Sequence, residues 1–201
     1  MLIELLFENI RKAQSYSHCI EEFQPKSEEA LFIFNNLSAQ KTKMVGGAEM
    51  YPSKTIVENA SQSKDHTTLV AAVKAANLVG TLSSDGPFTV FAPTNSAFEK
   101  LPAGTVETLL KPENKTKLQA ILTYHVIAGK YDAAKIMKAI KKGNGMASFK
   151  TVNGQTITAM MDGDILKIKD ASGNISSVSI ADVHQSNGVI HVVDTVFLPK
   201  M

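Results

Sequence analysis

Five histidines, one cysteine and a scatter of aspartates are the residues of this 201-residue chain best suited to chemistry. Histidine changes charge near neutral pH and is the commonest metal ligand, so His18, His66, His125, His184 and His191 come first. His125 follows Tyr124 and shares helical spacing with Leu118, Ile121 and Leu122. In such an apolar stripe the expected form is a neutral imidazole bonded to a core carbonyl or hydroxyl. A pH-sensing, small-molecule-binding or hydrolytic role for His125 is the alternative. It requires a ring that reaches solvent with a Ser or Asp within hydrogen-bond range. His184 and His191 flank an expected turn at a spacing that converges on no recognised metal pattern, so no metal is expected.

The lone thiol, Cys19, excludes an internal disulfide and lacks the surroundings of an activated nucleophile. Asp162, Asp164 and Asp170 stand among glycines, but the calcium-loop spacing with its terminal glutamate is missing, and hairpin turns explain them. A Gly-x-Ser-x-Gly elbow, a phosphate-binding loop and a His-Glu-x-x-His motif are also missing. No catalytic residue and no cofactor is therefore assigned. Asn36, Asn59, Asn114 and Asn174 open glycosylation tripeptides, a short pattern that chance supplies often.

The elements that must carry these residues change character midway. Ser53 is a candidate cap for a helix bearing Ile56, Val57 and Ala60. Leu69, Val73, Ala76 and Val79 give residues 68–79 one buried helical face, with Gly80 as its end. Residues 88–92 are dense in aromatic and β-branched side chains and read as a buried strand stopped by Pro93. Thr94 or Asn95 then caps a helix, with Ser96 and Glu99 as an alternative capping box. Further helices are expected at 105–110, 112–126 and 133–140, the last closed by Lys141 and Lys142 beside Gly143, where cations suit the helix dipole. From Ala147 the period switches to strands and turns, Asn153-Gly154 reading as a type I′ hairpin. Helices first and hairpins after is an α+β pattern. The final run, 189–198, is nearly continuous in Val, Ile and Phe, as a central strand requires.

With 44% hydrophobic and 20% charged residues the composition is that of a globular protein. A net charge of +2 gives no field that would gather nucleic acid. Residues 1–40 hold six acids and three bases, and their apolar runs are too short and too charged to span a bilayer. The chain divides into an atypical segment 1–46 and a domain 47–201. The first is a leader, a misassigned start or a docked extension, with 41–47 as a linker around Gly46-Gly47.

Thr89-Val-Phe-Ala-Pro-Thr-Asn-Ser-Ala-Phe98 closely resembles the first signature block of fasciclin domains, and Asn187-Gly-Val-Ile-His-Val-Val-Asp-Thr-Val-Phe-Leu-Pro199 resembles the second. Between them Tyr124-His125 matches the family's Tyr-His motif. The resemblance covers the chain from about Ile56 to Pro199, and single-domain length and lysine-rich style resemble the bacterial branch.

What the resemblance implies is an α+β fasciclin-like β-wedge of two sheets with helices packed around it. It also implies a secreted, periplasmic or cell-surface place, and a non-catalytic adhesion module for a protein or glycan of a cell surface or matrix. In animal matrix members an Asp-Ile pair just before the second block, with the Tyr-His region, is associated with integrin recognition. Asp182-Val183 occupies the matching position here, followed by His184. Asp182, Val183, His184, Tyr124 and His125 are thus the expected partner-binding residues. Thr89, Phe91, Pro93, Thr94, Asn95, Phe98, Asn187, Gly188 and His191 are expected to be architectural.

Overall fold

The structure, a computed structural model, describes residues 42–200. The leader-or-extension reading of residues 1–40 falls outside the described residues. The described chain opens with a hairpin, β1 (Lys43–Val45) and β2 (Ala48–Met50), where a linker was expected. Gly46 and Gly47, at φ of 58° and 75°, form its tip, so the paired glycines make a tight reversal and not a tether. Val45 and Met50 are buried and fasten the hairpin to the core.

Helix α1 (Ile56–Gln62) begins two residues later than Ser53 would place it. Thr55 accepts from the Glu58 N–H while the Glu58 carboxylate accepts from the Thr55 N–H, a reciprocal cap that Ser53 lacks. A 3-10 turn (Lys64–His66) leads into α2 (Thr67–Ala75). This helix stops short of the expected Gly80. Asn77 takes a φ of 61°, its N–H donates to Lys74 O, and the Leu78 N–H reaches Val73 O. These are the two bonds of a Schellman cap, and asparagine tolerates the left-handed position better than other residues with a Cβ. The apolar rhythm that suggested continuity belongs to a separate turn, α3 (Val79–Leu82), which contains Gly80.

Strand β3 (Phe88–Pro93) passes through the Thr94 cap into α4 (Asn95–Glu99), followed by α5 (Thr105–Leu110). The expected helix 112–126 is a 3-10 turn (Pro112–Asn114), then α6 (Lys115–Tyr124), then the start of β4 (Val126–Ala128). Helix α7 (Ala133–Lys142) is capped by Asp132, which accepts from the Lys135 N–H at 2.8 Å, and ends on Lys141 and Lys142. Strands β5 (Met146–Lys150), β6 (Thr156–Asp162), β7 (Ile165–Lys169), β8 (Ile175–Gln185) and β9 (Gly188–Val193) complete the described chain. The β5–β6 hairpin does not use a type I′ turn. Of Asn153 and Gly154 only Gly154 has a positive φ, and the Asn153 carboxamide braces the loop by accepting from the Gln155 N–H.

The strand order is β4-β3-β9-β8-β7-β6-β5. β9 lies parallel to β3 on one side and antiparallel to β8 on the other, which makes it central. β8 serves two sheets: its first residues pair with β7, and from Val178 onward it pairs with β9 through two register shifts. These bends open the sheets into a wedge, as bulges increase strand curvature. Alternate residues of β3 and β9 feed two cores. Val90, Ala92, Ile190 and Val192 meet helices α1 to α6, while Phe91 and Val193 join Tyr124, Phe197, Ile136 and the inner face of β5–β7. Burial on both faces is why β9 shows a continuous apolar run instead of alternation.

Candidate functional site

His125 caps the C-terminal end of α6 and is 3% exposed. Its Nε2 accepts the Phe197 N–H at 2.9 Å, so the ring proton sits on Nδ1, which donates to Ile121 O at 2.8 Å. Both nitrogens are committed to main chain. Burial pushes the imidazole pKa down to about 4, so the ring is neutral at physiological pH. The alternative of a solvent-reaching base is withdrawn on this geometry, because no lone pair is left to take a proton. Tyr124 is fully buried; its hydroxyl donates to Thr156 O and accepts from the Ala171 N–H. Expected as contact residues, Tyr124 and His125 instead offer a partner almost no surface.

The first signature block is a corner held by side chains. Thr89 is buried, donating to Gly129 O at 2.6 Å and accepting the Tyr131 N–H at 2.9 Å. Phe91 packs on His191 and on Phe197, each ring pair 5.5 Å apart. Pro93 ends β3 in register with Val193, and Phe98 is buried beneath α4. Thr94, not Asn95, caps α4. Asn95 reaches back to α2: its Oδ1 accepts from Thr68 N–H and its Nδ2 donates to Lys64 O. It supplies the capping bond that His66, at the N-cap of α2, does not make.

The second block opens on Asn187, whose Oδ1 accepts the Ile56 N–H at 3.0 Å and whose Nδ2 donates to Leu82 O and Ser84 O. One buried amide thus joins the starts of α1 and β9 to the end of α3. Gly188 is required by close approach: a Cβ there would sit 2.1 Å from Phe88 O. His191 is fully buried, its Nε2–H donating to Tyr131 O at 2.9 Å and its Nδ1 accepting from Asp182 N–H at 3.4 Å. With both nitrogens engaged, it does not converge with His184 on a shared ligand.

The β8 bulge is where expected contact residues meet solvent. Asp182 has a φ of 55°, a left-handed conformation in a residue other than glycine, and its Oδ1 accepts the Ala133 N–H at the start of α7 at 2.6 Å. Val183 is buried beside it, while Asp182 and His184 are half-buried. The Lys43 ammonium donates to Ala181 O on the same bend. Burial, then the nearby Lys130 charge, holds the His184 pKa below its usual value. The bulge points one carboxylate into a helix start and leaves the His184 ring half-buried beside it.

Several structural polar groups escaped sequence reasoning. Asp194 accepts from Ser177 N–H, Ser176 Oγ and Thr195 Oγ1; burial opposes its charge, but these bonds keep its carboxyl below the usual range. Asn59 is buried, bonded to both Tyr51 backbone groups and to Gln185. Its place one turn after Ile56, on a face that must be covered, was the available signal. That burial removes Asn59 as a glycosylation acceptor, whereas Asn174 is exposed. Asp170, by contrast, braces a turn as expected, accepting from Asn174 and Leu198, and Asp162 pairs with Lys167. Among the described residues no three His, Cys, Asp or Glu side chains group as metal ligands, and no helix is long and apolar enough to cross a membrane.

Comparison with known proteins aligns with this geometry. The family model described as Fasciclin domain matches residues 64–199. Protein sll1483 of Synechocystis is 47% identical over 166 residues, covering 82% of this chain and 84% of that protein. Human periostin is 36% identical over 135 residues, which cover 67% of this chain and 15% of periostin. The solved FAS1 domain pair of the insect cell adhesion molecule Fasciclin I superposes with a TM-score of 0.64 at 18% identity, over 72% of this chain and 51% of that one.

Proposed function

Since this chain belongs to the fasciclin family, we propose that it is a non-catalytic extracytoplasmic binding module, recognising a protein or glycan at a cell surface or in a matrix. The contact is the β8 bulge, with Asp182 and His184 as its side chains and Val183 as the buried anchor that holds their spacing. The observation that carries this reading is the left-handed Asp182 between half-buried Ala181 and buried Val183, a conformation that costs roughly 1–2 kcal/mol in a residue with a Cβ. Strain of this kind clusters at functional sites. Tyr124 and His125 contribute from below, by fixing the ends of α6 and the C-terminal segment. The domain takes in the β1–β2 hairpin, whose Lys43 touches the bulge.

Function in such a place requires a secreted, periplasmic or surface location. Fractionation of the native host, with intact-mass measurement, tests that part: a full-length cytoplasmic product rejects it.

The contact is tested by pull-down and glycan-array binding with the full chain and with Asp182→Asn. Asparagine tolerates the left-handed backbone and keeps an acceptor for Ala133, so the fold survives while the negative charge is lost. Weakened capture by the variant supports the reading. Equal capture by both proteins rejects the contact.

A further inference from the structure

Between α1, α2 and α3 the surface opens into a pocket whose walls are almost wholly hydrocarbon. The buried part of its lining, which includes Val90, Leu122 and His125, forms its floor, and its volume is about 40 Å³. A single water needs only ~10–15 Å³, but it also needs two or more polar partners, which these walls do not offer. The His125 nitrogens that could have bonded a water are both spent on main chain. Unfilled apolar space of this kind also costs the fold stability.

The rim narrows the choice of occupant. Val57, Val70 and Val79 are only half-buried there, and Lys74 is the one charged side chain among the lining residues. Lys74 is exposed and pairs with no carboxylate among the described residues. A peptide backbone entering such a wall would lose its hydrogen bonds to water without replacement. Hydrocarbon with a single negative end fits both the floor and the rim.

We propose that this pocket receives the end of an alkyl chain whose carboxylate head rests at Lys74, making the domain a binder of fatty-acid-like amphiphiles. The site lies on the helical side of the wedge and uses none of the β8 residues, so it stands or falls apart from the surface contact at Asp182.

The test is competition for 1-N-phenylnaphthylamine bound to the full chain, with dodecanoate or dodecanol added below the concentration at which either aggregates. Both are expected to displace the dye, dodecanoate about fivefold more tightly, the upper range for one exposed ion pair. Lys74→Glu is expected to abolish that preference and leave dodecanol unchanged. Ala60→Trp, which fills the mouth, is expected to stop displacement by both, with circular dichroism reporting the fold. No dye displacement by either compound in the unmodified chain overturns the proposal. So does a dodecanoate preference that survives Lys74→Glu, or displacement that persists in a folded Ala60→Trp protein. Asp182→Asn leaves all these readings unchanged.

Discussion

Phe197 donates its N–H to His125 Nε2, and the two rings stack 4.7 Å apart at an interplanar angle of 3°. The end of α6 and the C-terminal segment are thereby joined through one imidazole, and the bond exists only while that imidazole is neutral.

Stability should therefore fall in mild acid. His125 titrates at about 4 in the folded chain against about 6.5 unfolded, so between those values the unfolded state binds more protons. Its contribution is complete above pH 6.5, declines as pH falls to 4, and amounts to about 3 kcal/mol over the window. His66 and His191, also lowered chiefly by burial, add in the same direction. Urea midpoints at pH 7.5, 6, 5 and 4.5 check this. A flat profile contradicts it, and His125→Gln should shrink the slope.

Asn187→Ala should cost about 3 kcal/mol or more. It leaves the Ile56 N–H and the Leu82 and Ser84 carbonyls without their partner, each worth ~1–3 kcal/mol when buried. Asn187→Asp should cost a similar amount, because it keeps one acceptor but loses both donated bonds. Chemical denaturation at neutral pH measures both; a loss under 1 kcal/mol for either would show that water replaces the amide.

Gly188→Ala should cost about 3 kcal/mol or more, or yield no folded protein, since the added methyl meets the Phe88 carbonyl in the adjacent strand. Gly80→Ala is the contrast. Nothing lies within 4 Å of a Cβ at Gly80, and the residue is helical, so a gain of ~0.4–1 kcal/mol is expected. Thermal melts of the two variants should move in opposite directions.

Asp182→Ala should destabilise by ~1–2 kcal/mol, through the lost bond to Ala133 and the loss of a side chain that tolerates left-handed backbone. Asp182→Asn should stay within about 1 kcal/mol. A binding defect in the alanine variant alone would thus report on folding, and equal stability of the two would remove the argument from strain.

Much of this molecule is legible in its residues. The switch from helical to alternating period near Ala147 marks the α+β division, and the double burial of β9 shows as its unbroken apolar run. Position in space is less legible than type. Asn77 and Asp182 look like ordinary polar residues, yet they hold left-handed backbone, in one case ending a helix and in the other bending a strand. Gly46-Gly47 reads as slack and is a hairpin tip because the hydrophobic partners that bury Val45 and Met50 come from distant sequence. For the site, the Asp182 position came from a motif comparison. That Tyr124 and His125 face inward, while Lys74 stands at the rim of an apolar pocket, depends on how six elements meet.

The parallel pairing of β3 with β9 sets an order on the protein's birth. During translation, β3 leaves the ribosome about a hundred residues ahead of its partner, and until Gly188–Val193 emerges its backbone on that side has nothing to bond. The nascent chain must wait with that edge of β3 unpaired. A holding factor would shelter it until the final strand arrives.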